Sequence, residues 1–534
     1  MQKLLLGDEA LAQGAIDGGL SGVYAYPGTP STEITEYIQD SKQAKDRRIR
    51  SDWSANEKTA TEAALGMSYA GKRSMVCMKH VGMNVAADCF MNAAVTGVNG
   101  GMLTVAADDP GMHSSQNEQD SRFFAKFALV PVLEPSSQQE CYDMAYEGFE
   151  LSEKFNVPVM IRLTTRIAHS RAGVTTRETK KQNEISLPKD PRQYVLLPGI
   201  ARRNYKKLLS IQGELEKASE ESKWNKYFDG KDKSKGVIAC GIAYNYFREN
   251  YPEDKCPYPV IKVSQYPLPR KMVEKMAKEV KEIVVLEDGY PLVEEQIKGF
   301  LAKEPVRGRL DGTLPRDGEL NPAIVAAAFG IKINQGADIP AVVVGRPPAM
   351  CTGCSHIDMY TALKEVMQKY GTGRVFSDIG CYTLGALPPY GVINSCVDMG
   401  ASITMAKGAA DAGLVPAVAV IGDSTFAHSG ITGLIDAVRD KSPITIIISD
   451  NESTSMTGGQ DSSAVGIIER VCEAVGVEPE HIHTLLPLKK NHEEMVEVFS
   501  REIEYKGVSV IIPRRECIQK AVRRKKKEAK EKKQ

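Results

Sequence analysis

Residues 416–453, PAVAVIGDSTFAHSGITGLIDAVRDKSPITIIISDNES, decide the fold class of this 534-residue chain. The apolar runs 416–421 and 444–449 are typical of short buried strands, and residues 429–440 between them have helical spacing. A strand, a helix and a second strand in this order predict a parallel β-α-β unit. Similar alternation appears before residue 185 and again between residues 236 and 336. The sequence therefore predicts a multi-domain α/β protein whose parallel sheets are flanked by helices.

Five segments are expected from the changes in composition along the chain. They are a first α/β domain (1–185), a charged connector (186–235), a second α/β domain (236–339), a third that contains the segment quoted above (340–517), and a basic tail (518–534). Residues 520–533 carry nine Lys or Arg and two Glu, so we expect this tail to be disordered. It has no aromatic side chain, which argues against nucleic-acid binding.

The bulk composition excludes some classes of protein. Lys plus Arg and Asp plus Glu both total 68, and we find no uninterrupted apolar run of 18 residues, so no membrane span is expected. Asp8 and Glu9 interrupt the apolar start too early for a signal peptide, which favours a cytoplasmic protein. The 11 cysteines are scattered, an arrangement that indicates reduced thiols and not a disulfide framework.

Two polar side chains follow the strands of the quoted segment. Asp423 comes directly after the first strand, and Asn451 follows the second. A carboxylate and an amide oxygen can hold a hard cation that keeps a diphosphate as its other partner. This pattern is typical of the magnesium site of thiamine diphosphate enzymes, although the same residues also occur in ordinary strand-to-helix connections.

The helical stretch around residues 56–66 carries an acid that could activate such a cofactor. Thiamine catalysis needs one carboxylate that hydrogen-bonds the aminopyrimidine ring, so that the exocyclic nitrogen can remove the thiazolium proton. Glu57 and Glu62 are both candidates from the residues alone. Either acid could instead only compensate the helix dipole.

Other turns are candidates for close contacts with the cofactor or substrate. Residues 26–33, YPGTPSTE, form a strand-to-helix turn whose hydroxyls could bind a carboxylate or cap the helix. The stretch 351–356, CTGCSH, favours a glycine turn that offers amides to a diphosphate. Zinc is disfavoured there, because the Cys-x2-Cys pair has no second pair to complete a site. Residues 377–381 and 399–402 are further small-residue turns.

Taken together, the motifs are similar to those of the thiamine diphosphate-dependent 2-oxoacid:ferredoxin oxidoreductase family, and within it to the indolepyruvate type. The resemblance runs from residue 1 to about 517. The segments that carry it are residues 26–33, 56–58, 78–88, 109–120, 266–269, 318–322, 378–385, 422–430 and 456–460.

The resemblance implies a pyrimidine-binding domain, a transketolase-C-terminal-like domain and a diphosphate-binding domain, in that order. It selects Glu57 over Glu62 as the activating acid, with Thr29 holding the substrate carboxylate and His80 as a further catalytic contact. Magnesium would be bound by Asp423, Asn451 and the Ser453 carbonyl. The cofactor contacts it implies, or that lie in the same motifs, are Gly353, Cys354, His356, Gly380, Cys381, Gly422, Ser424, His428 and Met456.

The resemblance also implies partners and a reaction. The expected chain is the catalytic subunit that converts an arylpyruvate and coenzyme A to acyl-CoA and CO2, with a β subunit and ferredoxin as partners and a homo- or hetero-oligomeric assembly. The family pattern continues into a ferredoxin-like domain with two iron-sulfur clusters, and no cysteine follows Cys517 here. We therefore expect the clusters to belong to a partner. A non-oxidative arylpyruvate decarboxylase and a catalytically silent scaffold subunit remain open alternatives.

Overall fold

The computed structural model describes residues 2–194, 196, 198–251, 255–300, 306–309, 311–315, 318–332, 336, 338–345, 349–394, 399–411 and 414–531. The chain forms two compact units, Met1–Ala337 and Asp338–Gln534. The boundary between them lies close to the predicted start of the third domain.

The first unit begins with alternating strands and helices. The strands are β1 (Gln2–Leu6), β2 (Gly22–Ala25), β3 (Arg50–Trp53), β4 (Ser74–Lys79), β5 (Met102–Asp108), β6 (Val132–Leu133), β7 (Val159–Thr164) and β8 (Arg171–Thr175). The helices are α1 (Gly7–Asp17), α2 (Thr32–Asp40), α3 (Lys42–Asp46), α4 (Glu57–Tyr69), α5 (His80–Thr96), α6 (Arg122–Ala128), α7 (Gln138–Phe155) and α8 (Thr165–His169). Strands β4, β5 and β7 are buried along their whole length, as expected for a parallel sheet covered on both faces.

The charged connector and the following segment complete the first unit. Its further helices are α9 (Pro198–Ser210), α10 (Gln212–Glu220), α11 (Ala243–Glu249), α12 (Arg270–Glu279), α13 (Leu292–Phe300) and α14 (Pro322–Ala328). Its further strands are β9 (Lys226–Phe228), β10 (Lys235–Cys240), β11 (Val260–Val263), β12 (Gln265–Tyr266), β13 (Glu282–Leu286) and β14 (Val306–Arg307). The connector is not purely a surface element, because Leu208 and Leu215 are buried in the core.

Two sheets organise this unit. The strand order of the larger is β12-β6-β7-β5-β4-β2-β3, and all its pairs are parallel except β12 with β6. The order of the smaller is β14-β13-β10-β11-β9, with β9 antiparallel. Because β12 comes from the second predicted domain and pairs in the sheet of the first, the two segments pack as one compact unit.

A buried ionic network joins these two segments. Arg162 on β7 contacts Asp108 at 2.6 Å and Glu134 at 2.5 Å, and its guanidinium also donates to the Asp288 carbonyl at 2.7 Å. Arg122 lies beside it and reaches Glu287 at 3.1 Å. Both arginine side chains are completely buried. Burial raises the pKa of Glu287 to about 7 and that of Asp288 to about 6.

The second unit is built on one parallel sheet. Its strands are β15 (Val375–Ser377), β16 (Ala417–Gly422), β17 (Ile444–Ser449), β18 (Ser453–Thr454), β19 (Gln460–Asp461), β20 (Ile482–Leu485) and β21 (Ser509–Pro513). Its helices are α15 (Ser355–Met367), α16 (Ala401–Asp411), α17 (Asp423–Thr425), α18 (Ile431–Arg439), α19 (Ile468–Val475), α20 (His492–Glu504) and α21 (Ile518–Glu531). The main sheet has the order β15-β16-β17-β21-β20, and all its pairs are parallel. The predicted α/β class, with parallel sheets flanked by helices, is confirmed.

The basic tail differs from the expectation of disorder. Residues Ile518–Glu531 form α21, and its first turns contact the loops of the second unit. Lys520 donates to the Glu452 carbonyl at 2.7 Å and pairs with Asp461 at 2.8 Å, while Arg523 donates to the Gly458 carbonyl. These contacts pair basic side chains of the helix with acceptors on the loops of the same unit, and the composition of the tail does not indicate them. Among the described residues, none of the helices combines the length and apolar character that a membrane span requires.

Candidate cofactor and active site

Asp423 and Asn451 meet at the carboxyl edge of the sheet in the second unit. Gly422 pairs with Ser449 in the parallel register of β16 and β17, so the residues that follow both strands emerge side by side. The backbone N–H of Asn451 donates to the Asp423 carboxylate. Asp423 is 2% exposed and Asn451 7% exposed. The structure therefore brings together the two side chains that the sequence places after neighbouring strands.

The Asp423 carboxylate is poised for a cation. Its Oδ2 is buried and has no hydrogen-bond partner within the described part of the chain. Burial, followed by the neighbouring charge of Asp450, raises its pKa to about 7. An unpaired buried acid is costly. A bound divalent ion would remove that cost, so the residues present fit magnesium.

The loop after β17 is held in one shape. Glu452 has a left-handed φ of 58°, and its N–H donates to Asp450 at 3.1 Å. The N–H of Ser453 donates to the Asn451 side-chain oxygen at 3.1 Å. Arg514 on the following segment binds Asp450 at 2.6 Å. Asn451 and Ser453, both predicted magnesium ligands, therefore lie in a loop whose backbone is fixed by its own hydrogen bonds.

The predicted diphosphate-binding turns lie in the same unit. Gly353 has a φ of 77°, and Cys354 caps the start of α15. The Tyr382 ring packs against both Gly422 and Gly380. A Cβ added at Gly422 would lie 2.6 Å from this ring, and one added at Gly380 would lie 2.2 Å from it. Both glycines therefore have a packing role, which sequence reasoning did not anticipate. The phenol of Tyr382 donates to Asp378, another buried acid, whose pKa burial raises to about 6.

His356 lies on the first turn of α15 and is 1% exposed. Its Nδ1 is 2.8 Å from the Ser449 hydroxyl, so it connects α15 to the end of β17. Burial lowers its pKa to about 4, which keeps the ring neutral at pH 7. Its Nε2 is buried and lacks a hydrogen-bond partner among the residues that the structure describes. A ligand atom would satisfy that nitrogen.

Three other predicted contacts have different environments. The Ser424 hydroxyl is 2.9 Å from that of Thr454, beside the cation loop. His428 lies in the π-helical turn Phe426–Gly430 between α17 and α18, with Nδ1 2.5 Å from the Ser429 hydroxyl. Such turns are frequent at functional sites. Met456 is 53% exposed, so within this unit its side chain does not line a closed pocket.

Four cysteines of the second unit affect one another's pKa, and sequence reasoning missed this. Burial raises the pKa of Cys381 to about 12, and the charges of Cys354, Cys517 and Cys351 add to that effect. Burial also raises the pKa of Cys354, with contributions from Cys351 and Cys517. The Cys-x2-Cys pair alone predicts an incomplete metal site, whereas Cys381 and Cys517 bring the set to four. The signal in the sequence was the odd Cys517 shortly after β21.

In the first unit, Glu57 and Glu62 have opposite environments. Glu57 opens α4, is 5% exposed and packs against Gly82 of α5, where a Cβ would lie 2.7 Å from its Cγ and Oε1. The Asn56 side chain caps the helix by accepting from Thr59 N–H at 2.9 Å. Glu62 is exposed and pairs with Lys58. A buried acid suits hydrogen bonding to a cofactor ring, so the structure favours Glu57.

Thr29 and His80 lie at neighbouring strand ends of the first unit. Thr29 is half-buried in the turn after β2, where Gly28 N–H donates to the Thr32 hydroxyl at 3.1 Å. His80 is completely buried; its Nε2 is 3.2 Å from the Asn117 carbonyl, and burial lowers its pKa. Its Nδ1 has no hydrogen-bond partner among the described residues.

Lys79 is a further polar group that sequence reasoning overlooked. It is 9% exposed at the end of β4, and burial lowers its pKa to about 8. Its ammonium donates to the Ser114 carbonyl at 2.8 Å. Lys79 lies close to Gly28 in the turn that contains Thr29. A Cβ added at Gly28 would lie 3.1 Å from the Cβ of Lys79. A lysine that ends an otherwise apolar strand was the available signal.

Comparison with known proteins identifies a cofactor-binding domain in each unit. Residues 13–204 match the family model of the thiamine diphosphate-binding domain of pyruvate flavodoxin/ferredoxin oxidoreductases. Residues 378–512 match the C-terminal thiamine pyrophosphate-binding domain of thiamine pyrophosphate enzymes. The chain is thus a member of the thiamine diphosphate-dependent 2-oxoacid oxidoreductases.

Similarity along nearly the whole chain narrows the family. Indolepyruvate oxidoreductase subunit IorA of Archaeoglobus fulgidus is 38% identical over 96% of this chain and 86% of its own length. The subunits of Methanothermobacter thermautotrophicus and Pyrococcus abyssi are 37% and 36% identical over 96% of this chain and 86% and 85% of their own lengths. The chain belongs to the indolepyruvate oxidoreductase subunit IorA family. Among solved structures, a 2-oxoglutarate:ferredoxin oxidoreductase of Magnetococcus marinus has a TM-score of 0.47 and 18% identity over 57% of this chain and 62% of its own.

Proposed function

We propose that the chain is the catalytic subunit that oxidatively decarboxylates an arylpyruvate such as indolepyruvate. The reaction converts the 2-oxoacid and coenzyme A to acyl-CoA, CO2, one proton and two electrons that reduce ferredoxin. The observation that carries the proposal is the Asp423 carboxylate, because it is buried, in contact with Asn451, and has an unsatisfied oxygen in the described structure. A cation with a diphosphate would satisfy that oxygen.

Each chemical task of this reaction has a candidate residue in the chain. Thiamine diphosphate, when bound, would supply both a carbon nucleophile for the keto carbon and a positively charged ring that accepts the electron pair released with CO2. Asp423, Asn451 and the Ser453 carbonyl would hold magnesium on its diphosphate, and Gly353 would offer its backbone amide. The N–H of Cys354 donates to the Cys351 carbonyl at 3.0 Å, so Cys354 would shape this turn and leave the diphosphate contact to its neighbour. Glu57 would hydrogen-bond the pyrimidine ring from its buried place on α4.

The substrate would be oriented by the end of β4 and the turn after β2. The Thr29 hydroxyl is suited to bind the substrate carboxylate until it leaves as CO2. His80 is neutral at pH 7 because burial lowers its pKa. Its Nε2 is 3.2 Å from the Asn117 carbonyl and donates there, so Nδ1 is left as an acceptor for a substrate or coenzyme proton. Lys79 adds a positive charge beside the same turn, which favours an anionic substrate.

The two electrons released in the reaction need an acceptor, and the four cysteines would bind one. A zinc ion would hold its sulfur ligands roughly 3.8 Å apart, given Zn–S bonds of about 2.3 Å. Among the described residues, three ligand atoms lie within 4.8 Å of one another only in another group, so the thiols of Cys351, Cys354, Cys381 and Cys517 are spaced more widely than one ion requires. Four cysteine thiolates are the usual ligands of an iron-sulfur cluster, which accepts one electron at a time.

Ligation by these cysteines would place a cluster in this chain in addition to those expected in a partner, and it would favour the oxidative reaction over simple decarboxylation. The burial of Glu57, Asp423 and Asn451, in positions suited to catalysis, disfavours a silent scaffold. Onward transfer would use ferredoxin or a cluster-bearing partner, with a β subunit in the assembly. The cysteines in the described ranges are free thiols, which suits a reducing cytoplasm.

The test is anaerobic product analysis of the full chain with indolepyruvate, thiamine diphosphate, magnesium, coenzyme A and a viologen dye, with and without its co-purifying partner. We expect acyl-CoA and two equivalents of reduced dye for each CO2. Indoleacetaldehyde without dye reduction would establish the non-oxidative decarboxylase, and failure to bind thiamine diphosphate would establish the scaffold.

The cluster is tested separately by iron and sulfide analysis and by low-temperature EPR after reduction. We expect Cys517→Ser to lose iron and dye reduction while thiamine diphosphate binding is retained. Cys256→Ser is the matched control, since Cys256 is also half-buried but lies in the first unit. Equal iron content in both variants would contradict the assignment of the four cysteines.

A further inference from the structure

The connection from β1 to α1 and the connection from α8 to β8 lie next to each other, at one end of the β1–β8 strand pair. Strands β1 and β8 are antiparallel and end with Leu6 opposite Arg171. Gly7 N–H donates to the Ser170 carbonyl at 3.2 Å. A Cβ at Gly7 would lie 2.1 Å from the Ile167 carbonyl oxygen, so only glycine permits this approach. As a result, Asp8 on α1 and His169 at the end of α8 are held next to each other.

A third polar side chain joins them from α2. Glu33 lies in the first turn of that helix, and its Oε1 is 3.6 Å from His169 Nε2. One ligand atom from each of Asp8, Glu33 and His169 lies within 4.8 Å of the other two. Three elements that are distant in sequence therefore bring two carboxylates and one imidazole to a single point.

Asp8 is the most deeply buried member of this group. Its side chain is completely buried, and neither carboxylate oxygen has a hydrogen-bond partner among the described residues. Glu33 Oε2 is also buried without a partner in that part of the chain. Leaving such oxygens unsatisfied costs several kcal/mol if they are charged. Burial, followed by the charges of Glu33 and Glu9, raises the pKa of Asp8 well above its usual range.

We propose that Asp8, Glu33 and His169 bind a divalent transition-metal ion of the zinc or manganese class, at a site separate from the Asp423 cation site. Bonds of about 2.0–2.2 Å from zinc to nitrogen and oxygen place its ligands roughly 3.4 Å apart in tetrahedral geometry. The Glu33 Oε1–His169 Nε2 distance of 3.6 Å is already close to that spacing, and all three ligand atoms lie within 4.8 Å of one another. An imidazole ligand favours such an ion over magnesium, which prefers an octahedral shell of oxygen.

The surroundings agree with a cation that can exchange. Glu9 adds negative charge on the same helix as Asp8. The backbone N–H of Leu6, three residues before Glu9, donates to the Glu9 carboxylate at 2.8 Å. Arg171 is 3.6 Å from Glu9 and 55% exposed, so its charge is partly screened by solvent. His169 is 35% exposed, which leaves a route from solvent and a position for a water ligand. The metal would fasten α2, which follows the Thr29 turn, to the β1–β8 pair.

The test uses the full chain after chelator treatment, without thiamine diphosphate and with magnesium in excess. Zinc and manganese are titrated by calorimetry, and thermal unfolding is followed in parallel. We expect manganese, which does not favour thiolate ligands, to bind at one site per chain and to raise the unfolding temperature. Asp8→Asn and His169→Gln should each weaken binding at least 100-fold and abolish the thermal shift.

Two control variants test whether the metal binds at these three residues. His113→Gln should bind metal like the wild type, because His113 pairs with a single carboxylate, Glu319, at 3.2 Å. Asp423→Asn should also retain the site, so failure of the proposed function would not remove it. Equal metal affinity in Asp8→Asn, His169→Gln and wild type would overturn the proposal. It would also be overturned if the wild type bound no metal and Asp8→Asn were simply more stable, since Asp8 would then be a protonated packing residue.

Discussion

Replacing Gly82 by alanine is a direct way to test whether the position of Glu57 matters. The change adds one methyl group and no charge, and it lies on α5 and not on the helix that carries the acid. Glu57 has no room to spare on this side, because the new Cβ would lie 2.7 Å from both its Cγ and its Oε1. The clash falls on a flexible side chain, so it is relieved by movement of the carboxylate more than by loss of the fold.

The size of the effect follows from the geometry. Carbon atoms in contact are separated by about 3.5–4.0 Å, so the Glu57 side chain has to move by roughly 1 Å. A misplacement of that size in a catalytic group costs on the order of 100-fold in rate. This corresponds to about 2.7 kcal/mol of transition-state stabilisation.

The assay should measure the step that Glu57 would promote. Exchange of the thiazolium C2 proton of bound thiamine diphosphate for deuterium, followed by quenched-flow NMR, isolates cofactor activation from later steps. We expect Gly82→Ala to slow both this exchange and the turnover number about 100-fold. Glu57→Gln should be at least as slow, with thiamine diphosphate still bound.

Gly66→Ala is the matched control, because Gly66 lies on α4 itself and a Cβ there meets nothing within 4 Å. It should leave exchange unchanged and stabilise the helix by about 1 kcal/mol. Full exchange and turnover in Gly82→Ala, together with normal thermal unfolding, would refute the reasoning. Glu57 would then be a packing residue and not the activating acid.

Three other predictions concern the network, His356 and the basic helix. Arg162→Met should lower the free energy of unfolding in urea by about 3–5 kcal/mol, because it leaves buried carboxylates unpaired, whereas Arg166→Met, at a side chain that is 58% exposed, should cost less than about 1 kcal/mol. Burial lowers the pKa of His356 to about 4, so this residue stays neutral in the folded chain while it gains a proton in the unfolded chain, and the free energy of unfolding should fall as the pH drops from 6.5 to 4. In His356→Gln, this decrease should be smaller by up to about 3 kcal/mol, as measured by unfolding at a series of pH values. An unchanged decrease would contradict the prediction. Reversing the charge of residues 524–526 on α21, which begins directly after the cysteine group, should raise KM for an acidic redox partner and leave viologen reduction unchanged; an equal loss with both acceptors would mean that the helix acts on the fold.

The parts of the site that follow a strand or open a helix could be predicted from short stretches of sequence. Asp423 and Asn451 each end a strong apolar run, and a parallel sheet brings the ends of neighbouring strands together without further information. Glu57 follows a capping asparagine, so its place on the first turn of a helix was also legible. The residues alone left Glu57 and Glu62 as equal candidates, and the family resemblance selected Glu57. In the structure, the approach of Gly82 distinguishes the buried acid from the exposed one.

The features that the sequence did not predict all depend on contacts between distant segments. Arg162 looks like an interruption of an apolar strand until the acids of another segment surround it. Cys351 and Cys354 look like half of a metal site, since nothing in their local pattern points to Cys381 or Cys517. The structure places Cys381 after β15 and Cys517 after β21, and both positions lie beyond the carboxyl ends of strands in one parallel sheet. Because β16 and β17 lie between β15 and β21, the rule that brings Asp423 to Asn451 does not by itself predict that Cys381 and Cys517 approach each other. The loops after the two strands decide it, and a short stretch of sequence does not specify their path across the edge of the sheet.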